Sequence, residues 1–271
     1  MDPNSAPIAV FDSGLGGITI LKSLLLAFPN ENFVYLGDTA RVPYGSKSAS
    51  TIRKYSEQVI RMLATRYAPK AIVIACNSAS SQIHEERWQN IPLFNVIDPG
   101  VIAAVHTTAN GRIGIMGTRA TVQSGEYERR LLAYGQKQHR SLDCFSLACP
   151  LLVPLVEEGW IDDPITNLIV HRYVQALLDK QIDTLILGCT HYPILMNSIR
   201  RTTGSAAALV EAGPTLAEQV RNSGLPLIQG AGESGQLRAV FTDASERSQL
   251  LACELLKPIE VDEFSWVDLD P

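Results

Sequence analysis

Short runs of consecutive apolar residues alternate along the chain with stretches where apolar residues recur every three or four positions. Ile8-Ala9-Val10-Phe11 predicts a buried strand that ends at Asp12-Ser13-Gly14. Ile18, Leu21, Leu25 and Phe28 then share one helical face. Phe33-Val34-Tyr35-Leu36 predicts a second strand, closed by Gly37-Asp38, and Ile52, Tyr55, Val59 and Leu63 predict a second helix. Further strands are expected at Ala71–Ala75 and Leu93–Ile97. Strands that are apolar at nearly every position, joined by helices, belong to parallel sheets covered on both faces. Asp98-Pro99-Gly100 reads as a break in this rhythm.

The pattern restarts with a strand over Arg112–Thr118, helices over about 121–134 and 164–178, and a strand at Thr184–Gly188. A last block holds Ala208-Leu209-Val210, a helix from Pro214, a strand at Ala239–Phe241 and a helix over 245–256. Beyond Lys257-Pro258, the residues Glu260, Asp262, Glu263, Asp268 and Asp270 predict a solvated tail. Two pairs of segments rhyme. Ile72-Val73-Ile74-Ala75-Cys76-Asn77 matches Leu185-Ile186-Leu187-Gly188-Cys189-Thr190, and Ile8–Gly14 resembles Ile113–Thr118. The expected fold class is therefore α/β, with two related halves, each a mainly parallel sheet flanked by helices.

Composition narrows the functional classes. With 271 residues, 46% apolar and 19% charged, the chain is long enough for two domains with substantial cores. Its net charge of −5 argues against a broad basic face for nucleic acid. No apolar run approaches the ~20 residues of a membrane-spanning helix, and Met1–Ser5 lacks the basic and apolar regions of a secretory signal. Five scattered cysteines do not form a disulfide framework and fit a reducing cytoplasm.

Ligands of open α/β sheets bind beyond the carboxyl ends of the strands. The residues expected there are Asp12-Ser13, Asp38-Thr39, Cys76-Asn77-Ser78, Thr118 and Cys189-Thr190-His191. Each of Cys76 and Cys189 precedes short polar residues suited to opening a helix, where the positive end of the helix dipole favours thiolate. Free N–H groups at such an end accept carboxylates. Cys144, Cys149 and Cys253 read instead as packing residues. No CxxC or HxxxH spacing accompanies His191, so no metal site is expected. Asp12–Gly17 departs from GxGxxG, with Thr19 in place of the last glycine, which leaves a nucleotide-cradling turn as the weaker alternative. Two thiols facing each other across a cleft suit inversion of a stereocentre, because one face must lose a proton while the other gains one. Asp12, Asp38, Glu157 and His191 are the groups able to shuttle those protons.

Four segments carry a resemblance: Phe11-Asp12-Ser13-Gly14-Leu15-Gly16-Gly17, Gly37-Asp38-Thr39-Ala40-Arg41-Val42-Pro43-Tyr44-Gly45, Ala75-Cys76-Asn77-Ser78-Ala79-Ser80, and Leu187-Gly188-Cys189-Thr190-His191-Tyr192-Pro193. Together they resemble the glutamate racemases of the aspartate/glutamate racemase superfamily, over about Ile8 to Leu256. The resemblance implies cofactor-independent interconversion of L- and D-glutamate, supplying peptidoglycan synthesis. It assigns Cys76 to deprotonation of D-glutamate and Cys189 to that of L-glutamate, assisted by Asp12, His191 and Glu157. Substrate contacts are expected from Asp12, Ser13, Asp38, Tyr44, Gly45, Asn77, Ser78, Thr118, Thr121, Thr190 and His191. Arg41 is read as an interface or surface cation.

The resemblance also implies two domains around the active site, placed at 1–98 plus 212–271 and at 99–211, and a homodimer. Ser78 stands where threonine is usual, and Glu211-Ala212 replaces a commoner Asp-Ser. The short stretch before Ile8 offers no obvious segment for regulation by a peptidoglycan precursor. Two rivals remain: an aspartate or broad-specificity racemase, whose relatives commonly carry glutamate at the His191 position, and a non-catalytic nucleotide-binding module built on Gly14–Gly17.

Overall fold

The computed structural model describes residues 5–228, 234–243 and 245–269. The expectations for Met1–Asn4 and Asp270 lie outside these residues. The chain first forms β1 (Ile8–Asp12), α1 (Ile18–Ala27), β2 (Phe33–Gly37), α2 (Ala49–Tyr67), β3 (Ala71–Ile74), the single-turn α3 (Asn77–Ser80), β4 (Arg87–Trp88) and β5 (Ile91–Asn95). After α4 (Ile97–Thr107) come β6 (Arg112–Gly117), α5 (Arg119–Ser124), α6 (Glu126–Lys137), β7 (Asp143–Ala148), α7 (Leu152–Glu157), α8 (Pro164–Leu178), β8 (Thr184–Gly188), α9 (Met196–Thr203) and β9 (Ala208–Val210). Then follow α10 (Gly213–Arg221), β10 (Leu237–Phe241), α11 (Glu246–Leu256) and β11 (Glu263–Trp266).

Two sheets result. One has the order β11-β10-β2-β1-β3-β5-β4 and the other β7-β6-β8-β9. All pairings are parallel except that of β4 with β5. The segment β2-β1-β3-β5 of the first sheet and the whole second sheet share one connectivity, with β1 matching β6 and β3 matching β8. The rhyming segments thus occupy equivalent strands, and Cys76 and Cys189 follow equivalent ends. We refer to the structure around each sheet as a lobe.

Period-2 alternation explains why these strands carry no polar face. Ile8 and Val10 point into one apolar layer with α1, α10 and α11, while Ala9 and Phe11 point into the opposite layer with α2 and α3. In the second lobe, Ile113 and Ile115 pack with α4 and α6, and Met116 packs with α7, α8 and α9. Burial on both faces demands apolar side chains at every position.

Several local expectations are corrected. Asp98-Pro99-Gly100 is the first turn of α4, not a break: Asn95 Oδ1 accepts from the N–H groups of Ile97 and Asp98, and proline is tolerated there because the first-turn N–H has no helical partner. The preceding strand ends at Asn95, two residues earlier than its apolar run suggests, because that side chain already caps α4. The helix expected over 121–134 is two helices, divided at Gly125 with φ of +66°. The tail is not simply solvated. Its β11 pairs in parallel with β10, and Phe264 stacks on Phe241 with ring centroids 6.3 Å apart. Glu260, Asp262, Glu263 and Asp268 are exposed, while Val261, Phe264, Val267 and Leu269 among them pack against the core, an alternation masked by the charge count. Cys149 is buried and Cys144 half-buried, but Cys253 is exposed on α11 rather than packed.

Candidate active site

The carboxyl ends of the two sheets face one another across a narrow cleft. It is lined by Ser13, Pro43, Tyr44, Gly45, Cys76, Asn77, Ser78, Thr118, Val153, Cys189, Thr190 and His191. Ten of these are the expected site residues. Asp12, Asp38, Thr121 and Glu157 are not in this lining and stand behind it. Pro43 and Val153 join it without having been singled out. Val153 belongs to an apolar helical pattern indistinguishable from core, whereas Pro43 sits inside the Gly37–Gly45 motif and could have been taken from it.

Each sulfur has its own surroundings. Cys76 directly precedes α3, and its Sγ donates to Ser13 Oγ at 3.4 Å. Burial, reinforced by the nearby charge of Asp12, pushes its thiol up to about 12. Cys76 is therefore a thiol at neutral pH, against the expectation that a helix N-terminus would favour the thiolate. The helix is one turn long and its dipole is correspondingly small, so desolvation wins. Cys189 also ends a strand, but a 3-10 turn over Tyr192–Leu195 follows it rather than a helix. Its Sγ lies 3.9 Å from His191 Nδ1, and His191 Nε2 donates to Glu157 Oε1 at 2.6 Å. Burial disfavours charge on His191, but Cys189 and Glu157 together outweigh it and hold the imidazole well above its ordinary range.

Asp12 joins the two ends from below. It is fully buried, which raises its carboxyl above the usual range against the opposing field of His191. The Gly14 N–H donates to its Oδ2 at 2.9 Å, and Thr190 Oγ1 donates to its Oδ1 at 3.2 Å. Thr19 Oγ1 donates across the seam to the Thr190 carbonyl at 3.1 Å. The glycine turn over residues 14–17 is thus packed beneath the second lobe: a Cβ on Gly16 would crowd His191 Nδ1 and lie 2.7 Å from Thr190 Oγ1. His191 and Thr190 pack directly against this turn at Gly16.

The Gly37–Gly45 segment works through a buried carboxylate. Asp38 accepts from Arg41 Nε at 2.7 Å, from Thr242 Oγ1 at 2.8 Å and from the Tyr44 hydroxyl. It orients Tyr44 and does not itself face the cleft. Arg41 also donates to Gln58 Oε1 at 2.6 Å and lies 4.1 Å above the Tyr55 ring, an intralobe clamp rather than an interface cation. On the opposite wall, Ser78 Oγ and Thr118 Oγ1 lie 2.9 Å apart, and the Thr121 hydroxyl is 3.0 Å from that of Thr118. Thr121 therefore reaches the cleft only through Thr118.

Glu157 supports one pH prediction. The imidazolium of His191 persists through neutrality because its partners raise its pKa, and it is lost as pH rises. Removing the carboxylate in Glu157→Gln lowers the pH of that loss. The alkaline limb of the kcat/KM profile should move to lower pH, with activity at pH 8 falling about tenfold. A pH–rate series on both proteins checks this, and superimposable profiles would contradict it.

A sequence model of the Asp/Glu/Hydantoin racemase family matches residues 22–220. A curated glutamate racemase of Sulfurihydrogenibium sp. is 40% identical over 265 residues, covering 97% of this chain and 98% of its own length. The crystal structure of glutamate racemase from Francisella tularensis in complex with D-glutamate superposes with a TM-score of 0.88 at 32% identity, covering 98% of this chain and 99% of that one. Glutamate racemase from Thermus thermophilus in complex with beta-chloro-D-alanine gives 0.82 at 38% identity, with 99% of each chain covered. Sequence, topology and strand-end residues agree: the chain belongs to the Asp/Glu/Hydantoin racemase family.

Proposed function

We propose that this protein interconverts L- and D-glutamate, using Cys76 and Cys189 as the opposed acid and base. The observation that carries the reading is the pair of thiols at equivalent strand ends on one cleft, with unlike surroundings. Cys189 lies 3.9 Å from the His191 imidazolium, whereas Cys76 is held as a thiol. A Cys76 thiol is the acid that inversion of L-glutamate requires. The Cys189 thiolate takes the α-proton, leaving an α-carbanion, and the Cys76 thiol delivers its proton to the opposite face. D-glutamate leaves with Cys189 as thiol and Cys76 as thiolate, and the reverse reaction starts from this second state.

Around the reacting carbon, Ser13, Asn77, Ser78, Thr118 and Thr190 supply hydroxyl, amide and backbone donors for the two carboxylates and the amine. Asp12 and the His191–Glu157 pair stand next to the two sulfurs as proton reservoirs. No cofactor is assigned. In the same reading the protein is a cytoplasmic homodimer supplying D-glutamate to peptidoglycan synthesis. Its domains divide at 98/99, within the first turn of α4, and at 211/212, just before α10.

The direct test is racemisation in deuterated water. Starting from either pure enantiomer, the opposite enantiomer should accumulate with solvent deuterium at the α-carbon, and aspartate should turn over far more slowly. Faster reaction with aspartate would replace the substrate, and absence of α-deuterium in inverted product would exclude proton transfer at that carbon.

A further inference from the structure

Tyr127 is a large buried aromatic that the two-thiol chemistry leaves unused. It lies on α6 of the second lobe, yet its hydroxyl donates to Asn77 Oδ1 of the first lobe at 2.7 Å. Asn77 is the residue after Cys76 and lines the cleft. The Tyr127 ring lies beside Gly188, the residue before Cys189: a Cβ there would meet ring atom Cε2 at 3.1 Å. On its other side a Cβ at Gly100 would meet the hydroxyl at 3.2 Å. The small residues at 100 and 188 leave the space that lets this ring cross between the reacting strand ends.

A primary amide can present either its oxygen or its NH2 to a ligand, by a half-turn of the side chain. With Oδ1 engaged by Tyr127, Nδ2 is the group left for the cleft, and it has no hydrogen-bond partner among the described residues. Burial pushes the Tyr127 hydroxyl above its ordinary range, with the nearby Cys189 charge acting in the same sense. The hydroxyl thus keeps its proton at neutral pH, the proton it donates to the amide oxygen. We infer that Tyr127 is a positioning residue for substrate: it locks the Asn77 amide with its NH2 toward the cleft, where it donates to a carboxylate of the bound amino acid. Without that lock the amide can turn its oxygen toward the substrate, setting a lone pair against a carboxylate.

This inference rests on glutamate binding in the cleft, and the experiment separates the two. Tyr127→Phe keeps the ring and its packing and removes only the donor. KM for L- and D-glutamate should rise together by about tenfold, while kcat changes less than about threefold. Asn77→Ala should raise KM at least as much, and adding Tyr127→Phe to Asn77→Ala should cause no further rise, since the hydroxyl then has no amide to hold. A Tyr127→Phe enzyme with the KM of the wild type, beside an Asn77→Ala enzyme with a raised one, overturns the positioning role alone. An unchanged KM in Asn77→Ala removes Asn77 from the substrate site and the role of Tyr127 with it. Additive effects in the double variant would make Tyr127 a packing residue only.

Discussion

Cys76→Ala and Cys189→Ala should each lower racemisation of both enantiomers by at least about 10³-fold, since each removes the acid or base from one face. Both side chains are small and buried, so the variants should stay folded, with melting temperatures within a few degrees of the parent. The sharper result concerns hydrogen exchange without inversion. A variant lacking Cys189 keeps the sulfur assigned to D-glutamate, and one lacking Cys76 keeps the sulfur assigned to L-glutamate. In deuterated water each should therefore label only its own enantiomer, slowly, by removing and returning hydrogen on one face. Chiral separation with mass analysis of each isomer reads this directly. Labelling of both enantiomers by either variant, or racemisation near the parental rate, would contradict the opposed pair.

Gly16→Ala should be nearly as damaging, although Gly16 bears no functional group. The added methyl would intrude on His191 Nδ1 and Cε1 and on Thr190 Oγ1. His191 has little freedom to retreat, being buried and hydrogen-bonded to Glu157. The second lobe must then stand off from the first, or His191 must leave Cys189. Displacement of this order at a reacting centre costs about 10²-fold, so kcat/KM should fall by about that factor. The contact is between lobes rather than within either core, so the thermal midpoint should change by only a few degrees. The same logic applies less severely to Gly45→Ala, where the methyl would meet Thr118 Cβ at 2.5 Å. Parental kinetics in Gly16→Ala would mean the seam does not close this tightly during catalysis.

Much of this site is legible from residue order because parallel sheets place function at a predictable position. Once Ile72–Ala75 and Leu185–Gly188 are read as buried strands, Cys76 and Cys189 must lie at carboxyl ends. What order cannot convey is which side chains stand behind others. Asp38 lies in the same motif as Tyr44, yet only contacts from Arg41, Thr242 and Tyr44 reveal that it supports rather than lines the cleft. The protonation state of Cys76 was equally hidden. Helix-end reasoning points toward a thiolate, and the outcome is decided by desolvation, which depends on packing against residues far away in sequence. Tyr127 is the extreme case: an aromatic in a helical repeat reads as core, and its contact with Asn77 joins residues 50 apart.

The order of strands has a consequence for how the chain acquires its structure during synthesis. The four-stranded sheet is assembled from one contiguous stretch, residues 112–210, and all its partners are available once β9 emerges. The seven-stranded sheet is not. β2 is made second, yet its outer neighbour β10 begins only at Leu237, so one edge of β2 stands open while some 200 intervening residues are translated. An uncovered apolar strand edge over that interval is a template for pairing with another nascent chain. The lobe that starts first is therefore finished last, and its exposed edge is where chaperone protection during translation would matter most.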